Sequence, residues 1–158
     1  MSVDALRGPA TETIAGYRIH AAGHAWDAVR VDAPLARKAL LALGDRSGAV
    51  IEDSREPALY WFVTPGATAD WDVPGTRSLG LDQHLVVPAP CRRGGPGPWW
   101  RIQPKEGALL TDAGALLRAL RMAARCSGSG GEGGEGRDRL IVGIGGAIRA
   151  DRQTLVGR

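Results

Sequence analysis

The chain is poor in lysine, in cysteine and in aromatic residues other than tryptophan. Lys38 and Lys105 are its only lysines, so arginine supplies most of the positive charge, and a net charge of +3 is too small to indicate nucleic-acid binding by itself. The two cysteines, Cys91 and Cys126, are too few for a disulfide framework or a metal site. Because there is no apolar run of about 18 residues and no charged-then-apolar N-terminus, we expect no membrane span, no signal peptide and a cytoplasmic location.

Catalytic and metal-binding motifs are scarce as well. The three histidines have no carboxylate or cysteine at metal-ligand spacing, which argues against a zinc site. Ser54 and Ser78 lie outside the known serine-nucleophile motifs. Cys91 precedes two arginines, but it lies in a Pro/Gly-rich loop where no positioned base can be named. The sequence therefore predicts neither a zinc enzyme nor a nucleophilic one.

The hydrophobic patterning that is present predicts an α+β domain. Alternation of apolar and polar residues indicates strands, and apolar residues at helical spacing indicate two main helices. The order of these elements favours a mostly antiparallel sheet. The predicted strands cover residues 17–20, 25–32, 48–51, 58–63, 85–87 and 99–102, and the predicted helices cover residues 34–43 and 111–126.

The ends of the chain differ in composition from its middle. Residues 1–16 carry no sustained pattern, which is typical of a loose lead-in, and residues 17–126 form the predicted domain. Residues 127–136 are rich in glycine and serine and predict a flexible linker that begins at a helix stop at Ser127–Gly128. The remaining residues, 137–158, are interpreted as a tail, so we expect that deleting residues 127–158 leaves the melting temperature of the domain nearly unchanged.

Tryptophan is the main bulky aromatic residue, and most of its copies are expected in the core. The exception is the pair Trp99–Trp100, because neighbours on a strand point to opposite faces and one of the two should face outward. An outward tryptophan beside Arg92, Arg93 and Arg101 could stack on a base while the arginines bind phosphate. These five residues are therefore the predicted nucleic-acid-binding group.

Three aspartates were considered for two-metal phosphoryl chemistry, which needs carboxylates converging on ions about 4 Å apart. A strand supplies such a pair as D-x-D or D-x-E, because alternate residues share a face. Asp32 ends its predicted strand, but Pro34 occupies the second position. Asp27 lies five residues before Asp32 and hence on the opposite face. Asp82 is the remaining candidate, and local spacing does not pair it with Asp32.

Five segments occur in an order that resembles a known family, the N-terminal domain of bifunctional DNA primase/polymerases. The resemblance covers about residues 25–122 and implies a primase/polymerase-like fold. The segments are AVRVD (28–32), the helix 35–43, EPALYWFVTPG (56–66), LGLDQHLVVPAP (79–90) and PWWRIQP (98–104).

The resemblance also implies site residues. Asp32 matches the first acidic position and Asp82 the third, and these two would hold Mg²⁺ or Mn²⁺ in an active enzyme. The second acidic position falls on Pro34. The histidine that would contact nucleotide phosphates falls on Ala58, and the glycines that let the backbone approach the nucleotide fall on residues 83–84.

Three functions follow as hypotheses. The first is a catalytically impaired primase/polymerase-like domain that binds single-stranded DNA or a replication protein and needs no cofactor. The second is a weak metal-dependent nucleotidyltransferase that uses Asp32 and Asp82. The third is a non-catalytic protein-interaction module without a nucleic-acid role.

Overall fold

The computed structural model describes residue 6, residues 11–12, residues 16–104 and residues 109–133. The chain divides into two compact units, Met1–Ala123 and Ala124–Arg158. Every strand in the described part of the chain belongs to the first unit. The predicted tail, residues 137–158, lies outside the described residues, as do residues 134–136 of the predicted linker.

The described elements confirm the predicted α+β class. A 3-10 turn at Gly44–Arg46 follows the first helix, whose C-terminal cap is Gly44 with a φ of 53°. The strands and helices are β1 (Thr11–Glu12), β2 (Arg18–Ala21), β3 (Asp27–Asp32), α1 (Ala33–Leu43), β4 (Val50–Asp53), β5 (Ala58–Val63), β6 (Thr76–Leu79), β7 (His84–Val87), β8 (Pro98–Ile102) and α2 (Ala113–Gly133).

The strands form two antiparallel sheets rather than the single sheet that the sequence predicts. One has five strands in the order β6-β3-β5-β4-β8, and the other has three in the order β1-β2-β7. The smaller sheet includes β1, which lies in the segment predicted as a loose lead-in and pairs with β2. The chain leaves the large sheet after β6 and enters the small one at β7, so the two sheets are joined by the turn at residues 80–83.

Both helices contribute to the core on one face of the five-stranded sheet. The sheet side of this core includes Val29, Val31 and Trp61, which alternation places on a single face. The buried positions of α1 are three alanines and Leu43, small residues that let the helix approach the strands closely. Leu116 and Leu120 give α2 its buried stripe. This face of the sheet is therefore closed by helices.

The opposite face of the five-stranded sheet packs against the three-stranded sheet over part of its area. Phe62 is the centre of this second core, with Trp26 edge-on at 4.9 Å and Trp100 stacked at 6.1 Å between ring centroids. Leu85 and Val87 of β7 complete it. The expectation that tryptophan supplies core bulk is confirmed for Trp26, Trp61 and Trp100, which are buried, whereas Trp71 and Trp99 are half-buried.

The predicted end of the second helix is wrong. α2 continues through Gly133, past the stop expected at Ser127–Gly128. Once a helix is nucleated, each added residue gains one hydrogen bond, and this offsets the unfavourable propensity of the glycines. Among the described residues, no helix has both the length and the apolar character needed to cross a membrane.

A candidate ligand cleft between the two sheets

Part of the five-stranded sheet is left uncovered by the three-stranded sheet. Arg30 in the middle of β3 lies opposite Tyr60 of β5 on one side and opposite Arg77 of β6 on the other. Alternation places these three residues on the same face as Phe62 and Ala28, which belong to the core between the sheets. The face is therefore apolar where the small sheet covers it and polar where the cover ends.

A cleft of about 460 Å³ opens at this boundary. Its volume lies within the range of about 300–1,000 Å³ that is typical of small-molecule sites. The cleft combines apolar walls with converging polar groups from both sheets and from the turn between β4 and β5. The residues that line it are Tyr17, Ile51, Asp53, Arg55, Glu56, Tyr60, Arg77, Leu79, His84, Leu85, Val86 and Pro98.

Arg30 is held in place on the floor beside the cleft. Its Nη1 donates to Oδ1 of Asp32 over 2.9 Å, a pairing that alternate positions on one strand face allow. Burial opposes the charged form of Arg30, but its interactions with Asp32 and Tyr60 outweigh this and raise the pKa of the guanidinium. Arg30 is therefore a fixed cation.

Tyr60 keeps its proton across the physiological range. Burial raises the pKa of its phenol, and the nearby Arg30 charge offsets only part of that effect. Tyr60 is the one half-buried residue of β5, whose other residues are buried, so its ring and hydroxyl reach the cleft. It offers an aromatic edge and a neutral hydroxyl to a ligand.

Arg77 differs from Arg30 in having no counter-charge. It is exposed, and it forms no hydrogen bond or ion pair with any residue in the described part of the chain. Directly opposed residues of an antiparallel pair have Cβ atoms about 4.5–5.5 Å apart, and like charges at such positions are destabilising. An anion bound between Arg77 and Arg30 would relieve that repulsion. The acidic residues of the cleft, Asp53 and Glu56, lie across from it at the turn between β4 and β5.

The structure does not bring Asp32 and Asp82 together. Asp32 lies at the end of β3 that adjoins the start of β6, since Val31 pairs with Thr76 and the Asp32 N–H donates to the Gly75 carbonyl. Asp82 comes three residues after the far end of β6. The two carboxylates therefore lie at opposite ends of the β3–β6 pair.

The metal site implied by the resemblance does not fit this geometry. Asp32 is exposed and engaged by Arg30, and the described residues contain no group of three His, Cys, Asp or Glu side chains that could hold a metal ion. No step through a bound metal ion follows from these residues. The metal-binding role of the two aspartates stays a prediction of the resemblance, and their placement at opposite ends of the strand pair does not favour a shared ion.

Asp82 has a local structural role instead. Its φ is 67°, in the left-handed region that aspartate tolerates better than most residues. The Gln83 N–H donates to the Gly80 carbonyl over 3.1 Å, and the Gly80 N–H donates to Oε1 of Gln83 over 2.9 Å. Asp82 is therefore the third residue of the tight turn that links the two sheets.

The predicted group of arginines and tryptophans is not a single open surface. Trp100 is buried and its indole N–H donates to the Pro88 carbonyl, whereas Trp99 is half-buried and donates to Oγ of Ser54. Opposite orientation of the two rings, which the sequence predicts, is confirmed. Trp99 is therefore the more accessible of the two rings.

The arginines of that group are occupied by protein contacts. Arg92 donates to the carbonyls of Pro96 and Pro98 and lies over the Tyr17 ring at 5.1 Å. Arg101 pairs with the buried carboxylate of Glu52 at 3.1 Å. Arg93 is exposed and its guanidinium donates to the Gln103 side chain. These contacts order the loop before β8 and anchor that strand.

Sequence analysis missed the residues that form the cleft. Arg30, Tyr60, Arg77 and His84 come from four different strands, so no local motif joins them. Two signals were available: a charged residue in the middle of the strand that contains Val29 and Val31, and a tyrosine with a polar hydroxyl in the middle of the apolar β5. Each indicates a strand face that is not fully covered.

Comparison with known proteins gives no relative from which a function could be inferred. No protein-family model matches this chain, and neither the curated proteins nor the solved structures contain a match to it.

Proposed function

We propose that this chain is a primase/polymerase-like domain without catalytic activity that binds single-stranded DNA in the cleft between its sheets. The observation that carries the proposal is the unpartnered Arg77 directly opposite Arg30 at the edge of that cleft. The free guanidinium of Arg77 suits a phosphate, which accepts several charge-assisted hydrogen bonds, and Arg30, which is held by Asp32, adds positive charge beside it.

Several residues at positions that the family resemblance marks lie on or beside this same surface. Asp32, at the first acidic position, is the cross-strand neighbour of Ala58, which occupies the position of the phosphate-contacting histidine. Both lie on the face that carries Arg30 and Tyr60. His84, at one of the glycine positions, lines the cleft. Residues distant in the sequence thus surround one part of the sheet.

The residues at these positions favour binding over chemistry. A proline and an alanine replace an acidic ligand and a histidine, and of the two remaining aspartates Asp32 is paired with Arg30. Loss of metal ligands removes the Lewis acid that drives phosphoryl transfer. Phosphate contacts by arginine and stacking on a tyrosine ring need no metal, and stacking contributes about 1–3 kcal/mol per base.

Fluorescence anisotropy with a labelled oligo-dT at low salt tests the proposal. The variant Arg77→Gln should weaken binding about five- to tenfold, as expected for one lost charge-assisted contact, and should reduce the salt slope by about 0.7. The control is Arg121→Gln, which removes the same charge from an exposed position on α2, the helix that packs on the opposite face of the five-stranded sheet. It should leave the affinity within twofold of the wild type, which corresponds to a change in binding free energy of ~0.4 kcal/mol or less.

Three outcomes would contradict the proposal. The first is no binding at low salt, and the second is equal weakening by both charge substitutions, which would indicate non-specific attraction. The third is loss of affinity in Trp99→Ala without loss in Arg77→Gln, which would indicate that DNA binds at the exposed side of β8 instead. Primer extension with Mg²⁺ or Mn²⁺ should be absent, and synthesis abolished by Asp82→Asn would refute the lack of catalysis.

A protein partner is the alternative outcome. If oligo-dT does not bind but a replication protein co-purifies in a complex that survives high salt, the chain is an interaction module, since phosphate contacts weaken steeply with salt.

A further inference from the structure

A second cavity lies between β2, β7 and β8, separate in its chemistry from the cleft at Arg77. Its volume is about 780 Å³, and its walls are mainly apolar. A cavity of this size and lining is typical of a site for a drug-sized molecule. The residues that define it are His20, Val87, Pro88, Ala89, Pro90 and Trp100.

His20 is the unusual residue of this wall. It lies opposite Leu85 in the β2–β7 pair, and only 4% of its surface is exposed. Its Nε2 is buried and has no hydrogen-bond partner in the structure. A buried polar group left unpaired costs about 1–3 kcal/mol, so a ligand group that pairs with Nε2 would be favoured at this position.

The protonation state of His20 restricts the kinds of ligand that could pair with it. Burial lowers the pKa of the imidazole, and the positive charge of Arg18 lowers it further. The ring is therefore neutral at neutral pH and has one nitrogen that donates and one that accepts. The same Arg18 charge disfavours a cationic ligand near this wall.

Other polar groups of the wall already have partners. The indole N–H of Trp100 donates to the Pro88 carbonyl over 3.1 Å, and the side-chain amide of Gln103 donates to the Pro90 carbonyl. Tyr17 and Arg18, which also line the cavity, take part in interactions of their own. His20 is thus the wall residue whose buried polar atom would gain most from a ligand.

We propose that this cavity binds a neutral, planar heteroaromatic molecule that stacks on apolar wall residues and forms a hydrogen bond with His20. Pro88, Pro90 and Trp100 supply apolar wall surface against which an aromatic ring can pack. One polar group on that ring satisfies His20, while the rest of the molecule remains in apolar surroundings. This site does not depend on the nucleic-acid proposal, because it uses none of Arg30, Tyr60 or Arg77.

Two probes of equal shape test the site in the full chain. Benzimidazole has a ring N–H donor and a ring nitrogen acceptor, so it can pair with either tautomer of His20, whereas indene has the same fused-ring outline and no polar group. Saturation-transfer NMR at millimolar probe concentration measures both affinities. Benzimidazole should bind about fivefold or more tightly than indene, the difference expected for one hydrogen bond.

Substitutions then locate the interaction. His20→Leu should remove the preference for benzimidazole and leave indene binding, and it should not lower the melting temperature, because an apolar group replaces an unpaired polar one. Ala89→Phe, which narrows the cavity and leaves His20 intact, should weaken binding of both probes. His24→Leu is the control: it removes an exposed histidine outside the cavity and should change neither affinity.

Several results would overturn the proposal. They are absence of benzimidazole binding, equal affinity for the two probes, or a preference for benzimidazole that persists in His20→Leu. A fall in the melting temperature of His20→Leu comparable to that of a core truncation would also overturn it, since His20 would then be a satisfied structural residue.

Discussion

The adjacent tryptophans of β8 allow a sharp test of how this strand is placed. Trp100 is 3% exposed, stacks on Phe62 and has its indole N–H satisfied by the Pro88 carbonyl. A tryptophan buries about 150–250 Å², which at about 25 cal/mol per Å² corresponds to roughly 4–6 kcal/mol. Trp100→Ala should therefore destabilise the domain by about 3–5 kcal/mol, the range measured for large aromatic truncations.

Trp99→Ala should cost much less, although the two residues are neighbours in sequence. Trp99 is half-buried and its indole N–H donates to Ser54 in an exposed turn, so less buried area and one weak hydrogen bond are lost. The expected cost is about 1–2 kcal/mol.

Urea denaturation followed by circular dichroism measures both free energies of unfolding, and an unchanged m-value shows that the comparison is valid. In melting temperature the difference corresponds to roughly 3–5 °C for each kcal/mol in a domain of this size. If Trp100→Ala does not fold, Trp100→Phe should still destabilise more than Trp99→Phe. Equal costs for the two positions would refute the assignment of the rings to opposite faces of β8.

Two further predictions concern buried ionisable groups. Glu52 is largely buried and accepts hydrogen bonds from Arg37 of α1 and Arg101 of β8, so Glu52→Gln should destabilise the domain by about 1–2 kcal/mol, a figure kept low because both arginines are half-exposed. Urea denaturation measures this loss, with the exposed Asp72→Asn as control. An equal effect in the two variants would contradict the prediction. For His20 the folded-state pKa is lowered, so the unfolded chain binds the proton more tightly and stability should fall as the pH drops below about 6.5. Denaturation at several pH values should show a weaker loss in His20→Leu than in the wild type, and parallel pH profiles would rule out this contribution.

The elements that the sequence predicts well are those whose own residues carry a strong period. β5 is recovered at both ends because ALYWFV is a short run of apolar and aromatic residues bounded by proline on each side. α1 is recovered because Pro34 and Gly44 mark its ends. β6 was missed, since Leu79 is the only buried residue of this edge strand and its other side chains carry no alternation.

Sheet pairing could not be predicted from the same patterns. The pairs β1–β2 and β4–β5 are consecutive in the chain. However, β2 pairs with β7 and β3 pairs with both β5 and β6, so each sheet also joins strands that are distant in the chain. Local alternation indicates which residues share a face of one strand, but it does not indicate which strand comes next to it. The division into two sheets, and hence the cleft at their boundary, follows from this long-range pairing.

The arginines show most clearly why the candidate site in the structure differs from the one that the sequence predicts. Arg92 and Arg93 are adjacent in the sequence and suggest a basic patch, yet their guanidinium groups donate to carbonyl and amide oxygens of the loop that contains them or of the strand end beside it. Arg30 and Arg77 are far apart in the sequence and become direct neighbours through the β3–β6 register. A cation whose donors are used within the protein would have to break those contacts before it could bind a ligand, whereas an unpaired cation held beside another has repulsion that a bound anion relieves. Whether an arginine is available to an anion therefore depends on its partners in the folded chain, and charge density along the sequence does not contain that information.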